Sequence, residues 1–226
     1  MRPLWIVVGG IGIGVLTVLG IAAVVWGDPD PDGGGPDRVF EPSFPPVEHD
    51  ESAAEALVVA WNRWRTSTFV SSGTWTRTLD GTDAPLTGDV YLAQDPPRRL
   101  VIRLGSVTEE IDGTLTVCDA ARDEVIVPGC SEVTSSRSYD ERVAAEMSLI
   151  LRYVIGDARI YDVARVDDCF QVELQPAALR SPWGRAAEFC FDEESGALRS
   201  SRVRRQSATD VETTTAIRVE VTDADF

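Results

Sequence analysis

Residues 4–26 read LWIVVGGIGIGVLTVLGIAAVVW, a run without a single charge. As a helix rising ~1.5 Å per residue it would span about 34 Å, slightly more than a hydrocarbon core of about 30 Å. Trp5 and Trp26 stand at its two ends, where interfacial aromatics belong. A cleaved signal peptide has a shorter apolar core that ends in a small-x-small site, whereas this run ends in Val24-Val25-Trp26. A lipobox is excluded because no cysteine precedes Cys118. The run therefore predicts a transmembrane anchor over 4–26 with a short cytoplasmic tail over 1–3, and everything behind it works on a tether.

Sidedness follows from the cysteines rather than from flanking charge, since Arg2 precedes the run and the next arginine is Arg38. Cys118, Cys130, Cys169 and Cys190 are even in number and lack C-x-x-C spacing, which fits an oxidising exterior better than a zinc or redox site. The expected location is thus the cell membrane, single-pass, with the C-terminal domain extracytoplasmic. Net charge is −16, and all the acid lies beyond Gly27. Such a field repels nucleic acid and anionic headgroups alike.

Residues 27–48 are rich in Pro, Gly and Asp and read as a disordered linker ahead of a domain over 49–226. Asp28, Asp30, Asp32 and Gly33 copy the opening of a calcium loop, but its twelfth position is Val39 and no helices flank it, so no metal is expected. Ser52 and Glu55 have capping-box spacing ahead of a helix with Leu57, Val58, Trp61 and Trp64 on one face; Ser138 and Glu141 repeat the signal for a second, with Val143, Met147, Ile150 and Leu151. His49 sits ahead of the first helix with no partner in view.

Nearly everything else reads as short strands joined by turns, giving a meandering antiparallel sheet of about ten strands whose first hairpin pairs 69–79 with 86–93. Cys118 and Cys130 flank one hairpin and Cys169 and Cys190 bound another, so these are the two predicted disulfides.

The order helix, strands, helix, strands resembles the bacterial lipoprotein-carrier superfamily typified by LolA, with the sensor RseB. The carrying segments are the opening helix running into TFVSSGTWTRTLDGT, then LTGDVYLAQDPPRRLVIRLG and IDGTLTVCD. The resemblance implies an α+β domain in which a curved antiparallel half-barrel holds acyl chains on a concave side lidded by two helices. It implies binding of a lipid or other hydrophobic ligand in envelope lipid or lipoprotein handling. The alternative is a non-catalytic sensor or scaffold for an envelope protein partner, as in RseB-like regulation.

Geometry alone also points to a cavity. About ten strands at ~4.8 Å make a sheet roughly 48 Å wide, and two helices about 10 Å across cover less than half of it. Candidate cavity residues are Trp61, Trp64, Trp75, Val90, Leu92, Ile102, Leu104, Phe189 and Phe191. Pairing of the first strand with the last, or exposure of Trp61, would signal a closed barrel instead. No catalytic constellation or cofactor motif stands out: the chain has one histidine, no lysine and no G-x-S-x-G. Glu109-Glu110, Asp167-Asp168 and Glu193-Glu194 read as solvated surface, and Arg202, Arg204 and Arg205 as partners of Glu212 or Glu220. The chain is expected not to be an enzyme.

Overall fold

The structure, a computed structural model, describes residues 44, 46–82, 84–104, 106–112, 114–118, 129–135, 137–178 and 181–226. They fall in the second of two units into which the chain divides, Val39–Phe226. The segment 4–26 expected to be an anchor, the calcium-like loop and most of the linker lie outside the described residues. Among the described residues no helix is long and apolar enough to cross a membrane.

Helix α1 spans Glu51–Thr66, and its cap is Asp50 rather than Ser52. The Asp50 carboxylate accepts from the N–H groups of Ser52 (2.8 Å) and Ala53 (3.3 Å), so an equally good capping residue starts the helix earlier than the Ser52 spacing suggested. Helix α2 spans Tyr139–Val154 and begins with the expected Ser138–Glu141 capping box. Its buried stripe is Tyr139, Val143, Glu146, Ile150 and Val154. Leu151, expected to be hidden, is 44% exposed, because it lies one helical step round from Ile150.

Strands β1 (Phe69–Leu79), β2 (Leu86–Asp95), β3 (Arg98–Arg103), β4 (Ser106–Ile111), β5 (Thr114–Cys118) and β6 (Cys130–Thr134) precede α2. After it come β7 (Tyr161–Val166), β8 (Cys169–Leu174), β9 (Ala186–Phe191), β10 (Leu198–Arg204) and β11 (Ala208–Arg218). They form one 11-stranded antiparallel sheet in the order β6-β5-β4-β3-β2-β1-β11-β10-β9-β8-β7. The β1–β2 hairpin is the one the sequence predicts. The first and last strands do pair, from Val70↔Arg218 to Leu79↔Ala208, yet the sheet is open with β6 and β7 at its edges. That pairing is therefore no sign of closure: the chain enters at the middle of the sheet, and α2 carries it from one edge to the other.

The β7 edge is covered by the residues leading into α1. Asp50 N–H donates to the Val163 carbonyl (2.8 Å), and Val163 N–H donates to His49 Nδ1 (3.2 Å). His49, whose Nε2 lies 3.0 Å from Glu51, thus has partners and blunts a free edge. Both expected disulfides are present, Cys118–Cys130 and Cys169–Cys190, each joining directly opposed residues of neighbouring strands. The arginines near β10 have other partners than expected. Arg204 pairs with Asp80 and Arg205 with Asp210, each at 2.7 Å, while Arg202 lies over the Phe44 ring.

Side chains alternate between a face covered by α1 and α2 and an opposite face. The opposite face carries a second core, Val70, Ala93 and Leu100 with Tyr91, Ile102 and Val107, over which Val221 and Phe226 fold back. Asp225 fastens this tail: the Tyr91 hydroxyl donates to its carbonyl (3.1 Å), Thr222 N–H donates to its carboxylate (2.7 Å), and Arg218 pairs with it. The Thr222 N–H and Arg218 together hold the Asp225 carboxyl down at about 2.

Candidate functional site: the helix-covered face

Over β7–β9 this face is filled by aromatic rings. The α1 residue Trp61 meets Trp64, Trp183, Phe189 and Phe191 at centroid distances of 5.3, 5.2, 5.1 and 6.2 Å. Trp183, in the connection between β8 and β9, is 3% exposed. It is held there because its N–H donates to the Tyr161 hydroxyl, which in turn donates to the Gly184 carbonyl, both at 2.9 Å. Burial pushes the Tyr161 hydroxyl well above its ordinary value. Gly184 has φ +75°, and a Cβ there would meet the Arg204 carbonyl at 2.3 Å, so this connection requires glycine.

Over β1–β3 and β11 the register stacks residues in rows running away from the helices. Nearest the helices are Phe69, Gln94, Arg99 and Glu110. The next row holds Ser71, Leu92, Val101 and Ile217, and the one after it Gly73, Val90 and Arg103. Trp75, Gly88 and Glu212 follow, with Leu104 folded over Gly88 so closely that a Cβ on Gly88 would lie 2.2 Å from Leu104 Cδ2. Phe69, Leu92 and Ala197 are buried together, and Trp64, Val101 and Ile217 pack against them half-buried. The far end is ionic: Asp210 accepts from Arg77 (2.6 Å) and Arg205 (2.7 Å), and Arg103 pairs with Glu212. Burial works against ionised Asp210, but Arg77 and Arg205 hold it below the usual carboxylate range.

Between the helices and the first row lies a buried ion network. Arg65 Nε is 3.0 Å from Glu146, whose other oxygen accepts from Trp61 Nε1 at 2.9 Å. Glu110 accepts from Arg142 Nε (2.7 Å) and lies 3.7 Å from Arg65, while the Tyr139 hydroxyl donates to the Arg65 carbonyl (2.6 Å). Gln94 Nε2 donates to the carbonyls of Trp64 and Ser67, both at 2.7 Å. Burial lowers the Arg65 guanidinium, but Glu146, Tyr139 and Glu110 outweigh it and hold it above its ordinary value. Arg99, 8% exposed, lies 5.3 Å from the Trp64 ring and has no carboxylate partner among the described residues. Burial, reinforced by Arg65, brings it down to about 10.

On the other flank of α1 an apolar cleft of about 390 Å³ opens, floored by Ala56, Val59, Ala60, Phe170 and Phe191 and rimmed by Arg63, Arg165, Asp168, Asp192 and Glu193. That volume is within the range of small-molecule sites. Among the described residues no cluster of His, Cys, Asp and Glu could hold a metal ion.

With this geometry in view, the fold can be set beside known proteins. No protein-family model matches the sequence, and no curated protein is significantly similar to it. The fold is similar to a LolA superfamily protein from Nitrosomonas europaea, at 8% identity and TM-score 0.33, over 76% of this chain and 96% of that one. It is also similar to a chain of the Pseudomonas aeruginosa MucA/MucB complex (12% identity, TM-score 0.43), covering 77% of this chain and 60% of that one. A third likeness is to the Mycobacterium tuberculosis lipoprotein LppX (13%, TM-score 0.34, 74% of this chain and 98% of that one). At these identities the likeness is one of fold alone.

The cavity candidates separate into groups that a LolA-like reading of the sequence did not distinguish. Trp61, Trp64, Phe189 and Phe191 belong to the aromatic packing around α1, with Phe191 also flooring the cleft. Trp75, Val90, Leu92 and Leu104 share the rows over β1–β2. Ile102 is on the opposite face beside Leu100, because β3 presents Arg99, Val101 and Arg103 to the helices; Val101 takes the place expected of it. Glu110 is 2% exposed rather than solvated. Arg65, Arg99, Glu110 and Glu146 were missed. Two had a visible signal: Arg65 is one turn beyond Trp61, and Glu146 interrupts the stripe between Val143 and Ile150.

Proposed function

We propose that residues 49–226 form an extracytoplasmic domain, held at the cell membrane by the 4–26 anchor, that binds a lipid or other hydrophobic ligand against the helix-covered face in envelope lipid or lipoprotein handling. The observation that carries this is the half-buried trio Trp64, Val101 and Ile217 packed beside buried Phe69 and Leu92, with Val90 and Trp75 buried further along the rows. Apolar surface left partly open to water is a cost that ligand binding relieves. The proposal includes a sheet that curls into a half-barrel. What supports the curl is the size of the sheet: open sheets of eleven strands seldom stay flat. The two disulfides support an oxidising location.

The test is native mass spectrometry of the full chain extracted from bacterial membranes, which should release a bound acyl compound. Val101→Asp should lose it while far-UV circular dichroism stays unchanged; a chain that never carries ligand overturns the proposal. A second reading, recruitment of an envelope protein, is favoured by β6, an edge strand exposed along its whole length. A crosslinker placed at Val133 that recovers one protein repeatedly from ligand-free chain would support it.

A further inference from the structure

The helix-covered face inverts the charge of the molecule. The chain carries a net −16, yet among the described residues of this face Arg65, Arg99 and Arg142 are grouped with two carboxylates, Glu110 and Glu146. At the far end of the rows Arg77, Arg103 and Arg205 meet, among the described residues, two carboxylates, Asp210 and Glu212. Each cluster sets three arginines against two carboxylates and so has one positive charge in excess. In the first cluster the excess can be assigned to one residue. Glu146 lies against Arg65, and Glu110 lies between Arg65 and Arg142, but neither glutamate bonds Arg99.

Arg99 is nine-tenths buried and lies against the face of Trp64; Glu110 stands opposite it across β3 and β4 without forming an ion pair with it. Its Nε has no hydrogen-bond partner among the described residues, and the same holds for Arg65 Nη1, Trp64 Nε1 and Gln94 Oε1. Three of those four unpartnered atoms are donors. A buried guanidinium without an anion is unfavourable, and a planar fork of donors suits a carboxylate or a phosphate. Arg99 also stands at the head of the apolar rows: Val101 is two residues along the same face of β3, with Leu92 and Ile217 beside it.

We propose that Arg99, stacked on Trp64, is the headgroup subsite of an anionic amphiphile whose acyl chain lies along Val101, Leu92 and Ile217. This rests on the ligand-binding reading above and adds the class of ligand. It also departs from what net charge alone suggests, since the acidic outer surface repels anions whereas this face attracts them. The headgroup is a carboxylate or a phosphate monoester on an alkyl chain.

The experiment titrates the full chain in a nonionic detergent with 12-bromododecanoate, 12-bromododecyl phosphate and uncharged 12-bromododecanol, reading bromine quenching of tryptophan emission. The wild-type chain should bind at least one anion about tenfold or more tighter than the alcohol. Arg99→Gln should bring that anion to the level of the alcohol and leave the alcohol unchanged; Arg99→Lys should restore part of the preference. Whichever anion shows the preference identifies the headgroup. If all three probes bind alike and Arg99→Gln alters none of them, the anion subsite is refuted while the apolar site stands. If none binds, the apolar site falls and the subsite with it.

Discussion

Glu109 and Glu110 are neighbours in sequence with opposite surroundings, and replacing each by glutamine provides an internally controlled test. Glu109 lies 3.5 Å from Arg98, both side chains about a third exposed, and an exposed pair of this kind is worth roughly 0–1 kcal/mol. Glu110 is 2% exposed and serves both Arg142 and Arg65. Removing its charge leaves Arg65, Arg99 and Arg142 with Glu146 alone, and breaking a buried pair from one side costs about 3–5 kcal/mol. For a domain of this size each kcal/mol moves Tm by about 2–4 °C, so Glu110→Gln should lower Tm by roughly 6–20 °C and Glu109→Gln by at most about 4 °C. The assay is thermal unfolding of the full chain in detergent, followed by tryptophan emission, at low and high salt. The Glu110 effect should resist salt because the network is shielded from solvent. A double variant, Glu110→Gln with Arg99→Gln, should recover part of the loss, since it restores the balance of buried charge. Equal and small effects of the two single substitutions would refute the buried network and the placement of α2 over β4.

Acid should destabilise the domain in a defined window. Asp210 is depressed in the folded state, so its contribution is complete above the ordinary carboxylate range, about 4, and is lost as pH falls through the lower folded value. Asp210→Asn should flatten the pH dependence of Tm below pH 4. Trp183→Ala should cost about 3–5 kcal/mol, measurable by urea unfolding, whereas a mere turn residue would cost little. Thiol labelling of intact cells should modify Cys118, Cys130, Cys169 and Cys190 only after reduction with a membrane-impermeant agent; labelling without reductant would place the domain on the cytoplasmic side.

The parts of this fold that follow local rules were readable before the structure. The Ser138 box, the β1–β2 hairpin and both disulfides depend on short spacings within one or two elements. What depended on long-range register was not readable. A shift of one residue sends a side chain to the other face of a strand. Ile102 and Val101 are thus equally good cavity candidates until β3 is paired, and pairing decides for Val101. In β3 Arg99, Val101 and Arg103 alternate with Leu100 and Ile102, and the arginines carry no hydrophobic signal that would mark their face as covered. They face the helices because both faces of β3 are covered, one by α1 and α2 and the other by the chain end around Phe226. Pro182 and Gly184 bracket Trp183 as they would in a simple turn, and only the hydrogen bonds to Tyr161 show that the connection folds inward.

The central claim is that the rows over β1–β3 and β11 hold an acyl chain, and photolabelling tests it most directly. Cells expressing the full chain would be fed a fatty acid bearing a diazirine midway along its chain, irradiated, and the labelled peptides sequenced. The account predicts adducts on the strands that carry Leu92, Val101 and Ile217, lost in Val101→Asp. Adducts confined to residues 4–26, with none on those strands, would contradict it.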